Sequence, residues 1–144
     1  MNLADPRDPL SGRPEGDAGL PQHVPAASTV AVAGALVHAF PELLPILQEH
    51  LADNQGEVLP HLFISDVGRW LAASVGHNPQ LAGNVLAWLE VERAKDDPDV
   101  GNLIDDSFVE MLPFPGESGE ELRSLLGPVM AAEAEKQLRR AKML

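Results

Sequence analysis

From residue 28 onward, apolar side chains recur at three- and four-residue steps, and over no strand-length window do they alternate with polar ones. That period predicts helices throughout. In Glu57 to Val75, the residues Leu59, Leu62, Phe63, Val67, Trp70 and Leu71 fall on one arc at 100° per residue, with Asp66 inside the same arc. Similar stripes follow from Val32, Ala33, Leu36, Val37 and Phe40; from Leu43, Leu44, Leu47 and Leu51; from Leu81, Val85, Trp88 and Leu89; and from Val100, Leu103, Ile104, Phe108 and Met111.

Start and stop chemistry divides these stripes. Ser28 or Thr29 can cap the first helix, and Pro41 closes it. Pro45 and Pro60 fit only in opening turns, where the missing N–H costs little. Asn78-Pro79 and Asp97-Pro98 are caps followed by proline at the first helical position, so helices are predicted from Pro79 and over Pro98–Leu112. Ser118 with Glu121 has the spacing of a capping box for a last helical stretch, which Gly127-Pro128 breaks or kinks. The expected fold is all-α, a single-domain bundle of about six helices joined by short links over residues 28–144.

Residues 1–27 break the pattern. They are rich in proline and glycine and poor in large apolar side chains, and predict a disordered or extended leader. They hold no apolar core of the kind a signal peptide needs, and no uninterrupted apolar run is long enough for a membrane span. With no cysteine in 144 residues, this points to a cytoplasmic protein that needs no disulfide.

Charge narrows the partners. Twenty-two acids oppose ten bases, a net charge of −12, which argues against nucleic-acid binding, where phosphates demand cations. Half of that charge lies between Glu90 and Glu110, where eight acids meet only Arg93 and Lys95. On a straight helix from Pro98, Asp99, Asn102, Asp106 and Glu110 form one line opposite the apolar stripe. Such a line can dock on a basic protein or simply face water. The bases Lys136, Arg139, Arg140 and Lys142 complement the negative end of the last helix.

Signatures of chemistry are sparse. There is no Gly-x-Ser-x-Gly elbow, phosphate-binding glycine loop, His-Glu-x-x-His or Glu-x-x-His spacing, or calcium-loop pattern, so no catalytic residue, metal site or cofactor is assigned. Asp66 stands apart. A carboxylate on an apolar arc must be paired, neutralised or open to a cleft. Arg69, Arg93, Arg123 or a tryptophan N–H can satisfy it. Alternatively it forms a polar or ligand site with His61 and Glu57, although His61 and Asp66 point about 140° apart on a helix. Trp70 and Trp88 are expected as core anchors.

The segments FPELLPILQEH, LPHLFISDVGRW and NLIDDSFVEML together resemble a family of small bacterial all-helical proteins, over about Phe40 to Leu112. The resemblance implies a free-standing helical domain, an accessory or inhibitor protein, and brings no catalytic residues. The leading expectation is a non-enzymatic acidic interaction protein, in its sharpest form an immunity- or antitoxin-like inhibitor of a basic partner. Two alternatives stand beside it: a ligand- or metal-binding, even hydrolytic, helical domain centred on Asp66, and a structural homodimer.

Overall fold

The structure, a computed structural model, describes residues 24–143. The leader expected for residues 1–27 therefore lies, up to residue 23, outside the described residues. Ala26 is extended (φ −64°, ψ 140°), and the first helix starts one residue later. Among the described residues there are six α-helices and no strand: α1 Ala27–Ala39, α2 Leu44–Asp53, α3 Pro60–Ser74, α4 Pro79–Arg93, α5 Pro98–Ile104 and α6 Pro128–Lys142. The protein is all-α.

Proline writes most of the helix starts. Five of the six helices carry it in the first two positions, so these prolines begin helices rather than break them. The Asn78 side chain accepts from the Leu81 N–H at 3.1 Å. Asp97 accepts from the N–H groups of Asp99 and Val100 at 2.9 and 3.2 Å. Both caps follow the sequence pattern. Two others do not. No side chain caps α1, and the Thr29 hydroxyl instead donates back to the Ala26 carbonyl at 2.7 Å. Ser118 builds no capping box: Gly119, in left-handed conformation (φ 92°), precedes a short 3₁₀ turn, Glu120–Leu125.

The helix expected over Pro98–Leu112 is interrupted. From Asp105 to Val109 the backbone widens into a π turn, and the Glu110 N–H reaches back five residues to the Asp105 carbonyl at 3.0 Å. The wider turn changes the phase of the apolar stripe. Ser107, Phe108 and Val109 are all buried, Leu112 turns inward, and Met111, expected inside, is 52% exposed.

The arc of α3 is also rotated relative to expectation. Its buried face is Pro60, Phe63, Ile64, Val67 and Leu71, while Leu62 and Trp70 point largely outward. α3 lies against α1, α2 and the π turn, and α4 lies against α5 and α6. One continuous core runs from Val32 on α1 to Ala134 on α6. Trp88 packs partly buried on that core, as an anchor should; Trp70 does not.

Polar contacts tie the later helices together. Glu90 on α4 reaches across to α6, where its two carboxylate oxygens accept from the N–H groups of Val129 (2.7 Å) and Met130 (3.0 Å). A carboxylate on a helix start satisfies orphan donors and opposes the positive end of the helix. Arg93 forks onto Asp105 through two 2.9 Å bonds, and the Asp105 hydrogen bond holds the Arg93 guanidinium further toward its charged form, against the effect of burial. Gln137 on α6 donates to the Asp105 carbonyl at 3.1 Å, closing the link between α4, the π turn and α6.

Candidate functional site

Pro60 opens α3 and so places His61 in its first turn. Asp97 caps α5 and so places Asp99 and Asn102 on that helix's open side. The extended entry Val24–Ala26 and Thr29 of α1 complete a cleft of about 520 Å³, together with Leu59, Pro60 and Leu62. Its walls are mostly apolar. Among the described residues Asp99 is its one acid, and no arginine or lysine lines it.

Behind the cleft, His61 is held from a distant part of the chain. Its Nδ1 lies 2.5 Å from the Ser107 hydroxyl, 46 residues away in the π turn. Ser65, one turn along α3, donates to the Ser107 carbonyl at 2.9 Å. With the Ser107 hydroxyl donating, Nε2 of His61 carries the ring proton; in the reverse sense Nε2 is an acceptor. Either way Nε2 is the ring's remaining polar atom. Ser107 is 7% exposed and does not line the cleft, and among the described residues no carboxylate hydrogen-bonds to His61.

Asp66 is not the buried carboxylate that its place in the pattern suggested. Because the apolar arc is rotated, Asp66 falls at its edge, with a side chain 37% exposed that pairs with Arg69 on the same helix. It does not line the cleft, and neither does Glu57, which is exposed in the loop before α3. Of the expected set Asp66, His61 and Glu57, the cleft contains only His61.

The line Asp99, Asn102, Asp106 and Glu110 is likewise redistributed. Asp99 and Asn102 line the cleft, Asp106 is exposed on the π turn, and Glu110 lines a second, smaller cavity of about 280 Å³ between the end of that turn, Phe114, Arg123 and α6. Arg123 there donates to the Pro113 carbonyl at 2.7 Å and lies 5.9 Å from the Phe114 ring centre; burial pushes its guanidinium below the usual arginine value.

The eight acids between Glu90 and Glu110 thus separate into two groups. Glu90 and Asp97 cap helices, Glu92 pairs with Lys95, and Asp105 pairs with Arg93. Among the described residues, Asp96, Asp99, Asp106 and Glu110 make no side-chain hydrogen bond or ion pair. No group of three or more His, Cys, Asp or Glu side chains that could hold a metal ion occurs among the described residues. No single described helix is long and apolar enough to cross a membrane; the stretches Ala27–Ala39 and Pro41–Asp53 meet that test only jointly, with a 112° bend between them.

Sequence reasoning missed two side chains. Ser107 sits in the middle of the expected fifth helix, and only the π turn aims it at His61. His50 is 2% exposed, and its Nε2 accepts from the Leu59 N–H at 3.0 Å. A signal for His50 was present: it stands seven residues after Leu43 and three after Leu47, on the inward arc of α2.

A family model described as "Domain of unknown function (DUF7674)" matches residues 33–140. The matched span takes in most of α1, all of α2 to α5 and nearly all of α6, and so extends on both sides of the Phe40–Leu112 segment that carried the resemblance. No curated protein and no solved structure matches the chain.

Proposed function

We propose that this chain, which belongs to the DUF7674 family, is a non-enzymatic interaction protein that binds a basic protein partner through the exposed acids Asp99, Asp106 and Glu110 of α5 and the π turn's surroundings. One observation carries the reading. Half of the acids in the most acidic segment are consumed by caps and ion pairs, while Asp99, Asp106 and Glu110 are exposed and have no such partner among the described residues. Carboxylates with no hydrogen-bond or ion-pair partner among the described residues contribute to the net charge of −12 and oppose compaction through self-repulsion, so an external cation that neutralises them is favoured. Long-range attraction of this sign raises encounter rates by tenfold or more, and it is strongest at low salt.

Among the described residues no carboxylate joins His61 and Ser107, and Ser107 lies behind the cleft, which supports binding over hydrolysis. An inhibitor of the immunity or antitoxin type is the specific form of this function: these acids cover a cationic active site.

The test is capture of partners from an extract of the source cells, identification of each captured protein, and titration of the purified pair at low and high salt. A basic partner whose binding weakens with salt and with the combined change Asp99→Asn, Asp106→Asn and Glu110→Gln is expected. A complex indifferent to both, or no complex with any basic protein, refutes the proposal.

A further inference from the structure

We infer that the cleft between α1, α3 and α5 receives one arginine or lysine side chain of the partner, its charged head on Asp99 and its stem against the apolar walls; this rests on the basic-partner reading above.

Three features select that occupant. The walls supply Val24 and Leu62, which are 70% and 52% exposed, beside Leu59 and Pro60, so apolar surface lies open to contact. A long basic side chain is apolar along its stem and charged only at its end, which matches a cleft of this kind. Next, among the described residues Asp99 is the cleft's one acid and has no ion pair, while Asp97, two residues earlier, is occupied with capping α5. With no cation among the described lining residues, an anionic ligand meets repulsion from Asp99 there.

The third feature is polar geometry. Asn102 offers a carbonyl and an amide, and His61 is fixed by Ser107 so that Nε2 remains for a ligand. A guanidinium has five N–H donors in a rigid fork and needs several acceptors, so Asp99 and the Asn102 carbonyl suit it better than a single carboxylate on an open surface would. The volume of about 520 Å³ falls within the 300–1,000 Å³ typical of ligand sites and accommodates a side chain with its flanking residues.

The experiment is an amide-shift titration of the full chain with N-acetyl-arginine amide, and in parallel with N-acetyl-citrulline amide, its uncharged near-isostere. Saturable shifts centred on His61, Asp99 and Asn102 are expected for the arginine compound, with the citrulline compound weaker by about tenfold or more. Asp99→Asn, checked for an unchanged folded spectrum, is expected to remove the difference between the two compounds. Equal binding of the two by the native chain, shifts scattered away from the cleft, or full arginine binding by Asp99→Asn overturns the inference.

The two readings fail separately. A salt-sensitive complex that depends on Asp106 and Glu110, with no arginine binding at the cleft, removes the cleft assignment and leaves the exposed acids. Arginine binding at the cleft, with no basic protein partner in the capture experiment, supports the cleft chemistry and removes the protein-partner reading.

Discussion

Gly127 and Glu90 make a pair whose coupling can be worked from the structure. Gly127 precedes α6 with φ −73° and ψ 176°, a conformation open to any residue. Taken alone, Gly127→Ala should therefore stabilise by about 0.4–1 kcal/mol, because alanine has less freedom to lose on folding. But a Cβ at 127 would stand 2.6 Å from Cγ and Cδ of Glu90 and 2.9 Å from Oε1. The flexible Glu90 side chain must swing away, and the N–H groups of Val129 and Met130 lose their acceptor. Loss of a helix cap costs roughly 0.5–2 kcal/mol. The charge on the acceptor argues for the upper part of that range, while access of water to the Val129 N–H moderates it.

The net prediction is that Gly127→Ala destabilises the native chain by about 1 kcal/mol, and Glu90→Ala by about 1–2 kcal/mol. In the Glu90→Ala background, Gly127→Ala becomes neutral or stabilising. The sign reversal isolates the contact, since each single change removes the same two hydrogen bonds. Urea unfolding followed by tryptophan fluorescence is a suitable assay, because Trp88 lies on the same helix as Glu90. With slopes of roughly 1–3 kcal/mol/M, the midpoints should move by several tenths of a molar unit. Additive effects of the two changes would refute the cap.

Gly119→Ala should cost more, about 2–5 kcal/mol, because φ is 92° and a Cβ would meet the Ala72 Cβ and carbonyl oxygen at 2.8 and 2.9 Å, where rigid backbone cannot yield; loss of the cooperative thermal transition near the native midpoint checks it. Arg93→Met should destabilise by about 1–3 kcal/mol, since it strands the mostly buried Asp105, whereas Arg69→Met, which breaks an exposed pair, should change stability by less than about 0.5 kcal/mol; paired denaturation curves compare them. His50→Ala should cost about 2–4 kcal/mol by opening space against Phe63 and leaving the Leu59 N–H without its acceptor, read from the unfolding midpoint. Met111→Ser should be close to neutral although Phe108→Ser is severe, because the π turn puts one side chain outside and the other in the core; a stability difference of at least about 2 kcal/mol is expected between them.

What the chain alone determined is local in origin. Apolar spacing at three and four residues, prolines placed where their missing N–H costs nothing, and the Asn78 and Asp97 side chains each act within a few residues. The helical class, the starts of α4 and α5, and the place of Pro60 in the opening turn of α3 follow from them directly, although α3 begins at Pro60 and not at Glu57. Net charge and its concentration between Glu90 and Glu110 are also properties of the string.

The tertiary structure decided everything that depends on which arc of a helix finds a partner. A small rotation of α3 moved Asp66 from the core to its edge and exposed Leu62 and Trp70; periodicity leaves such a rotation open, since neighbouring positions on a helix differ by only 40–60°. The π turn broke the line Asp99, Asn102, Asp106 and Glu110, because one wider turn shifts the phase of all that follows. The roles of Glu90, Arg93 and Ser107 came from chain segments 12 to 46 residues away, and a carboxylate that caps a distant helix reads in sequence like one that faces water. Short-range chemistry is written in neighbouring residues; the choice among exposed acids, internal caps and cleft walls is made only when the helices pack.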